Sequence, residues 1–522
     1  MFSSCDKSLA GISSASDISE ELVEEVIEEI TEETTEETTE ETTEETTEGL
    51  TEENTEEVIQ ENSEEIDLEP LSKKIILDLS TTHQTVEGFG AGIKRRTEYL
   101  YRLSEPLRQK IENYCFRDLE VNMIRFFVYH DLEPENDNDD PNILDPTQLD
   151  WIKYESNPSR SRSRYVAEAL QSAFSLSKNG FDHVIGNCNS APPWLKTNGK
   201  HNEGGTLIAG MEAEYSEFLI AFLKGMKSQY NIDVTAISPT NEPDYQVSYE
   251  SMNTTPAELS SIISDLDTRL STESLDHVKI ISPECFRVDH SNKTDVSSTR
   301  YIQKLFTYSG VEKAIDVVAT HTYADPNHDS NWGALKDASN GKPVWVTESA
   351  SLKTQDKSMT DAANYAKWII RGFNEGGMTA YMMHLFYEEM DDNGDSSLVV
   401  WTANGDIILP KRYFVFKHFT NLVKKGFIRI GQQVVEADLF TTAFISPDGN
   451  QVVLQIFNES NEQDVSIYVP EGTQSVIQYT TSQSEEEEYA LNNDLGFKTD
   501  HTFLNSTLKS MSINSFVFNI NP

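Results

Sequence analysis

Two strand-like apolar runs in this chain end on a glutamate. Val234–Thr240 leads into Asn241-Glu242-Pro243-Asp244, and Val344-Trp345-Val346-Thr347 leads into Glu348-Ser349. A carboxylate directly behind such a run is costly to bury unless it is paired or used. Each glutamate alone could be half of a structural ion pair. Two on strand ends three β/α units apart suggest chemistry instead. A pair of carboxyl groups flanking a cleft is what cleavage of a glycosidic bond requires. One is protonated and delivers its proton to the leaving oxygen; the other is ionised and acts on the anomeric carbon or on a water. The acid needs a raised pKa, which apolar walls or its partner's charge can supply. This chemistry calls for no metal and no other cofactor, and none is expected.

Other residues could surround such a pair. Arg125 is a cation inside Met123-Ile124-Arg125-Phe126-Phe127, a place for a buried ion pair or for a carboxylate holder. His321 and Tyr323 close Ala319-Thr320-His321-Thr322-Tyr323, where either could be core or could hydrogen-bond the ionised glutamate and keep it anionic. Trp194 is the aromatic best suited to stack on the apolar face of a sugar, with core filling as the alternative. Asn189 is a lesser candidate for sugar hydroxyls.

The elements that would position these residues alternate. From Thr85 onward eight β-rich runs can be counted: Val86–Gly92, Asn122–Val128, His183–Asn189, Val234–Thr240, Lys279–Glu284, Val317–Tyr323, Pro343–Glu348 and Thr379–Tyr387. Each is followed by an amphipathic helical stretch, and Thr255-Pro256 with Glu258 supplies capping chemistry to one of them. Eight such units over residues 85–425 predict an α/β fold, a (β/α)8 TIM barrel with its working residues at the strand ends. A doubly wound sheet would want a G-x-G-x-x-G loop, and Gly88-Phe89-Gly90-Ala91-Gly92 lacks that spacing. Residues 426–522 change to short alternating strands with turns such as Pro447-Asp448-Gly449-Asn450, which predicts an accessory β-sandwich. Residues 72–84 alternate too and are expected to lend it a strand.

The net charge of −47 is unevenly placed. Between Asp17 and Glu69 stand 25 acidic residues and no Lys or Arg; the rest has 63 acidic against 41 basic residues, a net −22. Such a surface repels phosphate backbones, so nucleic acid is not an expected partner. No apolar run is long enough for a membrane span. Residues 17–71, with Thr-Thr-Glu-Glu repeating every four residues, read as a disordered acidic linker, because a helix would stack like charges at i and i+4. Ahead of it, in residues 1–16, Phe2-Ser3-Ser4-Cys5 is similar to the end of a bacterial lipoprotein signal, without the charged and apolar regions that normally precede it. That reading makes Cys5 a lipid anchor and puts a monomeric body outside the cell or on a bacterial surface. The other cysteines, Cys115, Cys188 and Cys285, are too scattered for a disulfide framework or a zinc site and read as core thiols. The acidic runs Asp131–Asn142 and Asp391–Asp395 lack the spacing of a calcium loop and read as solvated.

Taken in order, Gly88-Phe89-Gly90-Ala91, Ala191-Pro192-Pro193-Trp194-Leu195-Lys196-Thr197-Asn198 and Ser238-Pro239-Thr240-Asn241-Glu242-Pro243 resemble glycoside hydrolase family 30, over about Lys73 to Pro522. The resemblance implies a retaining β-glycosidase acting on a polysaccharide or oligosaccharide. Glu242 would be the acid/base, Glu348 the nucleophile, Asn241 the amide on the sugar 2-hydroxyl, and Arg125 the cation orienting Glu348. The eighth strand departs from the related enzymes' tryptophan and offers His384 and Tyr387. The acidic loop behind it, Glu388–Asp395, lacks the cation needed to read glucuronoxylan. Around Gly92–Glu98 and Asn187–Ser190 the chain looks most like the endo-β-1,6-galactanase-like branch, with β-1,6-glucan as the alternative substrate. A surface glycan-binding protein without turnover is the reading from another class.

Overall fold

The computed structural model describes residues 70–93, 97–138, 140–154, 165–289, 297–323, 325–353, 356–390 and 396–520. The lipoprotein-like start, Cys5, nearly all of the acidic linker and the run Asp391–Asp395 lie outside the described residues. Residues 68–522 form one compact unit.

The first strand, β1 (Lys74–Thr85), belongs to the C-terminal sheet, where it runs antiparallel to Ile428–Val435 and parallel to Gln463–Tyr468. The barrel follows: β2 (Gly88–Ile93), β3 (Met123–Phe127), β4 (His183–Asn187), β5 (Ala236–Ser238), β6 (Lys279–Cys285), β7 (Val317–His321), β8 (Val344–Glu348) and β9 (Met378–Met383). All eight are parallel neighbours in chain order, and β9 pairs back onto β2 to close the barrel. Parallel strands covered by helices are buried on both faces, which is why these runs are nearly continuous in apolar residues rather than alternating. Gly90 has a local reason to be glycine: a Cβ there would stand 2.2 Å from the Met123 carbonyl oxygen across the β2–β3 pair.

Inward-facing residues pack the barrel as a core of its own, with Met123, Ile185, Ala236, Ile281, Val317, Ala319, Trp345, Ala380 and Met382 fully buried. Trp345 donates its indole N–H to Glu87 at 2.7 Å, so the bulkiest of them has its polar atom satisfied. The outer helices include Glu105–Asn113, Val166–Leu176, Glu212–Tyr230, Pro256–Thr272, Met359–Asn374 and Lys411–Thr420. Pro256–Thr272 opens with the full capping box, Thr255 Oγ1 accepting from the Glu258 amide and the Glu258 carboxylate accepting from the Thr255 amide at 2.8 Å. Sequence limits for the barrel strands hold to within a few residues. The one structural difference is at the eighth: β9 stops at Met383, and Tyr387–Glu389 joins a separate three-stranded sheet with Val399–Trp401 and Ile407–Ile408.

The C-terminal domain is a nine-stranded β-sheet domain with β1 inside it, between Ile428–Val435 and Gln463–Tyr468. Ile75 of β1 is completely buried in this domain's own hydrophobic core, beside Ile430, Leu454, Ile467 and Phe516. The domain is therefore built from both ends of the described chain. It is joined to the barrel through helix Lys411–Thr420. There His418 bonds Thr481 Oγ1 through Nε2 at 2.9 Å and Ser515 Oγ through Nδ1, and its carbonyl accepts from Gln455 Nε2. Among the described residues no helix is long and apolar enough to cross a membrane.

Candidate active site

The C-terminal ends of the barrel strands bring the ionisable candidates together. Arg125, in β3, is fully buried, and its guanidinium is shared among four acceptors. Nη1 donates to Glu348 Oε1; Nη2 donates to Asn187 Oδ1, to Asn241 Oδ1 at 2.9 Å and to Glu284 Oε2 at 2.8 Å. A planar guanidinium can serve several acceptors at once, which an ammonium cannot do in fixed geometry. Strand ends β3, β4, β5, β6 and β8 are thus tied to one cation.

Glu348 ends β8 and is 4% exposed. Besides Arg125 on one oxygen, it accepts the phenol O–H of Tyr323 on the other at 2.6 Å, and His384 Nε2 lies 3.5 Å from that same oxygen. Two donors therefore bond it with an imidazole beside them, the environment that favours a carboxylate over its acid.

Glu242 lies just past β5, is 5% exposed, and has its backbone in the left-handed region (φ 46°), as has Glu284 past the middle of β6 (φ 59°). Left-handed backbone is strained for a residue with a side chain and is found where surrounding structure enforces it. Here the Glu242 amide donates to the Glu284 carbonyl at 2.9 Å, locking the two turns together. The Glu242 carboxyl meets His321 Nδ1 at 3.0 Å and the Tyr249 hydroxyl at 3.2 Å. One oxygen of Glu242, one of Glu348 and a ring nitrogen of His321 lie within 4.8 Å of one another. The set has the composition of a metal site, but the buried Arg125 already brings a positive charge against its anionic member.

His321 differs from its sequence expectation: it contacts Glu242, and Tyr323 is the residue on Glu348. Tyr387 is brought to neither glutamate. Its ring is 2% exposed, packs edge-on against Phe116, and its hydroxyl donates to Thr97 at 3.3 Å. Tyr387 begins a different sheet, three residues beyond His384, and this turns it away. Trp194 is half-buried, with its indole N–H on the Glu133 carbonyl at 3.1 Å. Asn189 is 8% exposed and accepts from Asn187 Nδ2 at 2.5 Å, one hydrogen bond removed from Arg125.

Sequence reasoning missed Glu284, Asn187, Tyr249 and an aromatic wall. Glu284 is fully buried; desolvation works to raise its pKa, but Arg125 and His321 outweigh it and hold the carboxyl below its ordinary value. The signal was present, since Ser282-Pro283-Glu284 is a third strand end carrying a carboxylate. Phe286, just past β6, stacks between Tyr245 (centroids 4.4 Å apart) and Tyr323 (5.1 Å), placing a continuous aromatic face beside the pair. Nothing in the sequence brings three such distant rings together without the barrel.

Comparison with known proteins agrees with this arrangement. Residues 183–397 match glycosyl hydrolase family 59, and residues 427–486 match the β-sandwich domain of glycosyl hydrolase family 30. The solved catalytic domain of a GH30 xylanase C from Talaromyces cellulolyticus superposes with a TM-score of 0.69 at 17% identity, over 85% of this chain and all of that one. The chain is thus similar in sequence to glycoside hydrolases of families 59 and 30 and shares the family 30 fold. The endo-β-1,6-glucanase BT3312 shares the fold with a TM-score of 0.64 at 15% identity, over 87% of this chain and 94% of the other. Glucuronoxylanase XynC of Bacillus subtilis is 25% identical over 281 residues, 52% of this chain and 59% of that protein. The chain thus spans little more than half the length of this curated relative.

Proposed function

We propose that this chain is a retaining, endo-acting glycoside hydrolase of a β-linked polysaccharide, with Glu348 as nucleophile and Glu242 as acid/base. The single observation that carries the reading is the asymmetry of the pair. Arg125, Tyr323 and His384 all converge on Glu348, which suits an anion, while Glu242 meets His321 and Tyr249, which suits a group that must hold and release a proton. One oxygen of each lies within 4.8 Å of one of the other, which supports the close pairing, roughly 5 to 5.5 Å between carboxyls, of retaining enzymes.

In the first step a Glu348 oxygen forms a bond to the anomeric carbon as the glycosidic C–O bond breaks and Glu242 gives its proton to the leaving oxygen. In the second, Glu242 takes a proton from a water whose oxygen displaces Glu348, restoring both carboxyls. Asn241 is held by Arg125 through its Oδ1, which leaves its amide N–H group to donate to the sugar 2-hydroxyl. Trp194 and the Tyr245–Phe286–Tyr323 wall provide apolar faces for sugar rings.

The substrate we favour is β-1,6-galactan, on the motif likeness around Gly92–Glu98 and Asn187–Ser190. β-1,6-Glucan is the second reading, favoured by the structural likeness to an endo-β-1,6-glucanase. Glucuronoxylan is disfavoured by the absence of any Lys or Arg from Glu388 to Asp395. We place the working enzyme at the cell exterior, anchored through Cys5. The test is reducing-end release by the whole chain on β-1,6-galactan, β-1,6-glucan and glucuronoxylan, with Glu348→Gln as control. Short oligomers from β-1,6-galactan, absent with the variant, are expected. Release from glucuronoxylan alone would overturn the substrate assignment, and glycan binding without turnover would favour a binding protein.

A further inference from the structure

The acidic loop behind β3 is not simply solvated. Glu133, within it, is 3% exposed, and neither of its carboxylate oxygens has a hydrogen-bond partner among the described residues. The backbone amide of Asp137 favours the ionised form of Glu133, but against the larger effect of burial. Facing it from the second turn of helix Glu212–Tyr230 is Glu217, also 3% exposed, and Asp137 approaches from the solvent side. One oxygen of each of the three lies within 4.8 Å of the others.

Three carboxylates that close repel strongly, and a buried one without a partner is costly. Glu214, one turn back on the helix, adds a fourth negative charge nearby. Arg269, a cation that acts on Glu217, is engaged elsewhere: its Nε donates to Asp265 at 2.6 Å and its Nη1 to the Pro141 carbonyl at 2.5 Å. Without an added positive charge, burial and the neighbouring carboxylates push Glu133 up to about 8 and Glu217 up to about 7. The active-site carboxylates have Arg125; among the described residues this cluster shows no equivalent ion pair.

We propose that Glu133, Asp137 and Glu217 hold a calcium ion. The donors are all carboxylate oxygens, which select a hard cation. Calcium accepts carboxylates in flexible geometry, whereas magnesium demands a near-ideal octahedron and keeps several waters, so a cluster of three carboxylates from a loop and a helix suits calcium better. The ion would clasp the loop behind β3 to the helix behind β4. That loop also supplies, through the Glu133 carbonyl, the acceptor for the Trp194 indole. The site therefore fixes the orientation of a residue in the proposed sugar cleft. This last link rests on the glycosidase reading above; the ion site itself does not.

The test uses the whole chain, stripped with a chelator and titrated with calcium chloride by calorimetry, with the unfolding temperature followed in parallel. Wild type is expected to bind one saturable equivalent more than a Glu133→Gln/Glu217→Gln double variant, and to gain a thermal shift that the variant lacks. The acidic residues ahead of Pro70 are common to both proteins and cancel in the difference. Gln copies the shape of a protonated Glu, so the variant retains the packing; Asp137→Asn, at an exposed position, makes the same comparison without touching the core. Equal stoichiometry and equal thermal shift in wild type and variants overturn the site. An equal response to magnesium chloride overturns its assignment to calcium. Neither result depends on any glycan being cleaved.

Discussion

Replacing Tyr323 with phenylalanine removes one oxygen and little else. The ring stays against Phe286 (centroids 5.1 Å, 23° apart) and edge-on to His384 (5.9 Å, 88°), so the aromatic wall is kept. What disappears is the 2.6 Å hydrogen bond to Glu348 Oε2. A hydrogen bond to an ionised group has a net worth of about 1.5–3 kcal/mol. At about 1.4 kcal/mol per pH unit, the acidic limb of kcat/KM should move up by about one to two units in Tyr323→Phe. Arg125 still holds the other oxygen, so Glu348 still ionises and the limb is displaced rather than lost. Above that limb the rate should change by less than about tenfold, because the charge that the phenol stabilises is being consumed as the nucleophile attacks. The assay is kcat/KM across pH 4 to 8 on the glycan that the panel identifies, with circular dichroism to confirm folding. An acidic limb that stays where wild type has it, with only the plateau lowered, would refute the assignment of Glu348 as the ionised partner held by Tyr323.

Three further outcomes are expected. Glu284→Gln, which takes a buried carboxylate from Arg125, should lower stability by about 1.5–3 kcal/mol. Because the folded-state pKa of Glu284 is depressed, its contribution is present above its ordinary value and lost as pH falls through the folded value, so the variant's unfolding temperature should vary less with pH on the acid side. His418, buried where helix Lys411–Thr420 meets the C-terminal sheet, is held down to about 3, chiefly by desolvation and then by Lys417. Its stabilisation is complete above about pH 6.5 and is lost as pH falls toward 3, on the order of 5 kcal/mol in all. Urea unfolding of His418→Gln between pH 7 and 4 should accordingly be flatter than that of wild type. Trp194→Ala should raise KM about two- to tenfold and leave kcat nearly unchanged, if the indole only stacks on sugar.

How far the sequence foretold this site can be read residue by residue. Glu242 and Glu348 were legible because each follows an apolar run that a barrel buries, so their type and place conflicted with their surroundings. Arg125 stood out for the same reason. The barrel itself was legible because its parallel strands are buried on both faces, and their apolar runs recur eight times with helices between. Glu284 has the same signature and was passed over, since a third carboxylate has no place in a two-carboxylate reaction until Arg125 is seen to pair with it as well as with Glu348. Partner choice was less accessible: which glutamate His321 meets depends on how β7 packs between its neighbours, and a register slip at Thr320/His321 decides that. Tyr387 misled because strand propensity continues through Tyr381–Tyr387, while β9 ends at Met383 and the chain enters another sheet.

The measurement that tests the account most directly is the anomeric configuration of the first product, followed by proton NMR from mixing. Double displacement through Glu348 predicts that the newly formed reducing end appears as the β anomer and converts to the α form only at the rate of spontaneous mutarotation. First appearance of the α anomer would contradict a covalent intermediate on Glu348, whatever the distance between the two carboxyls.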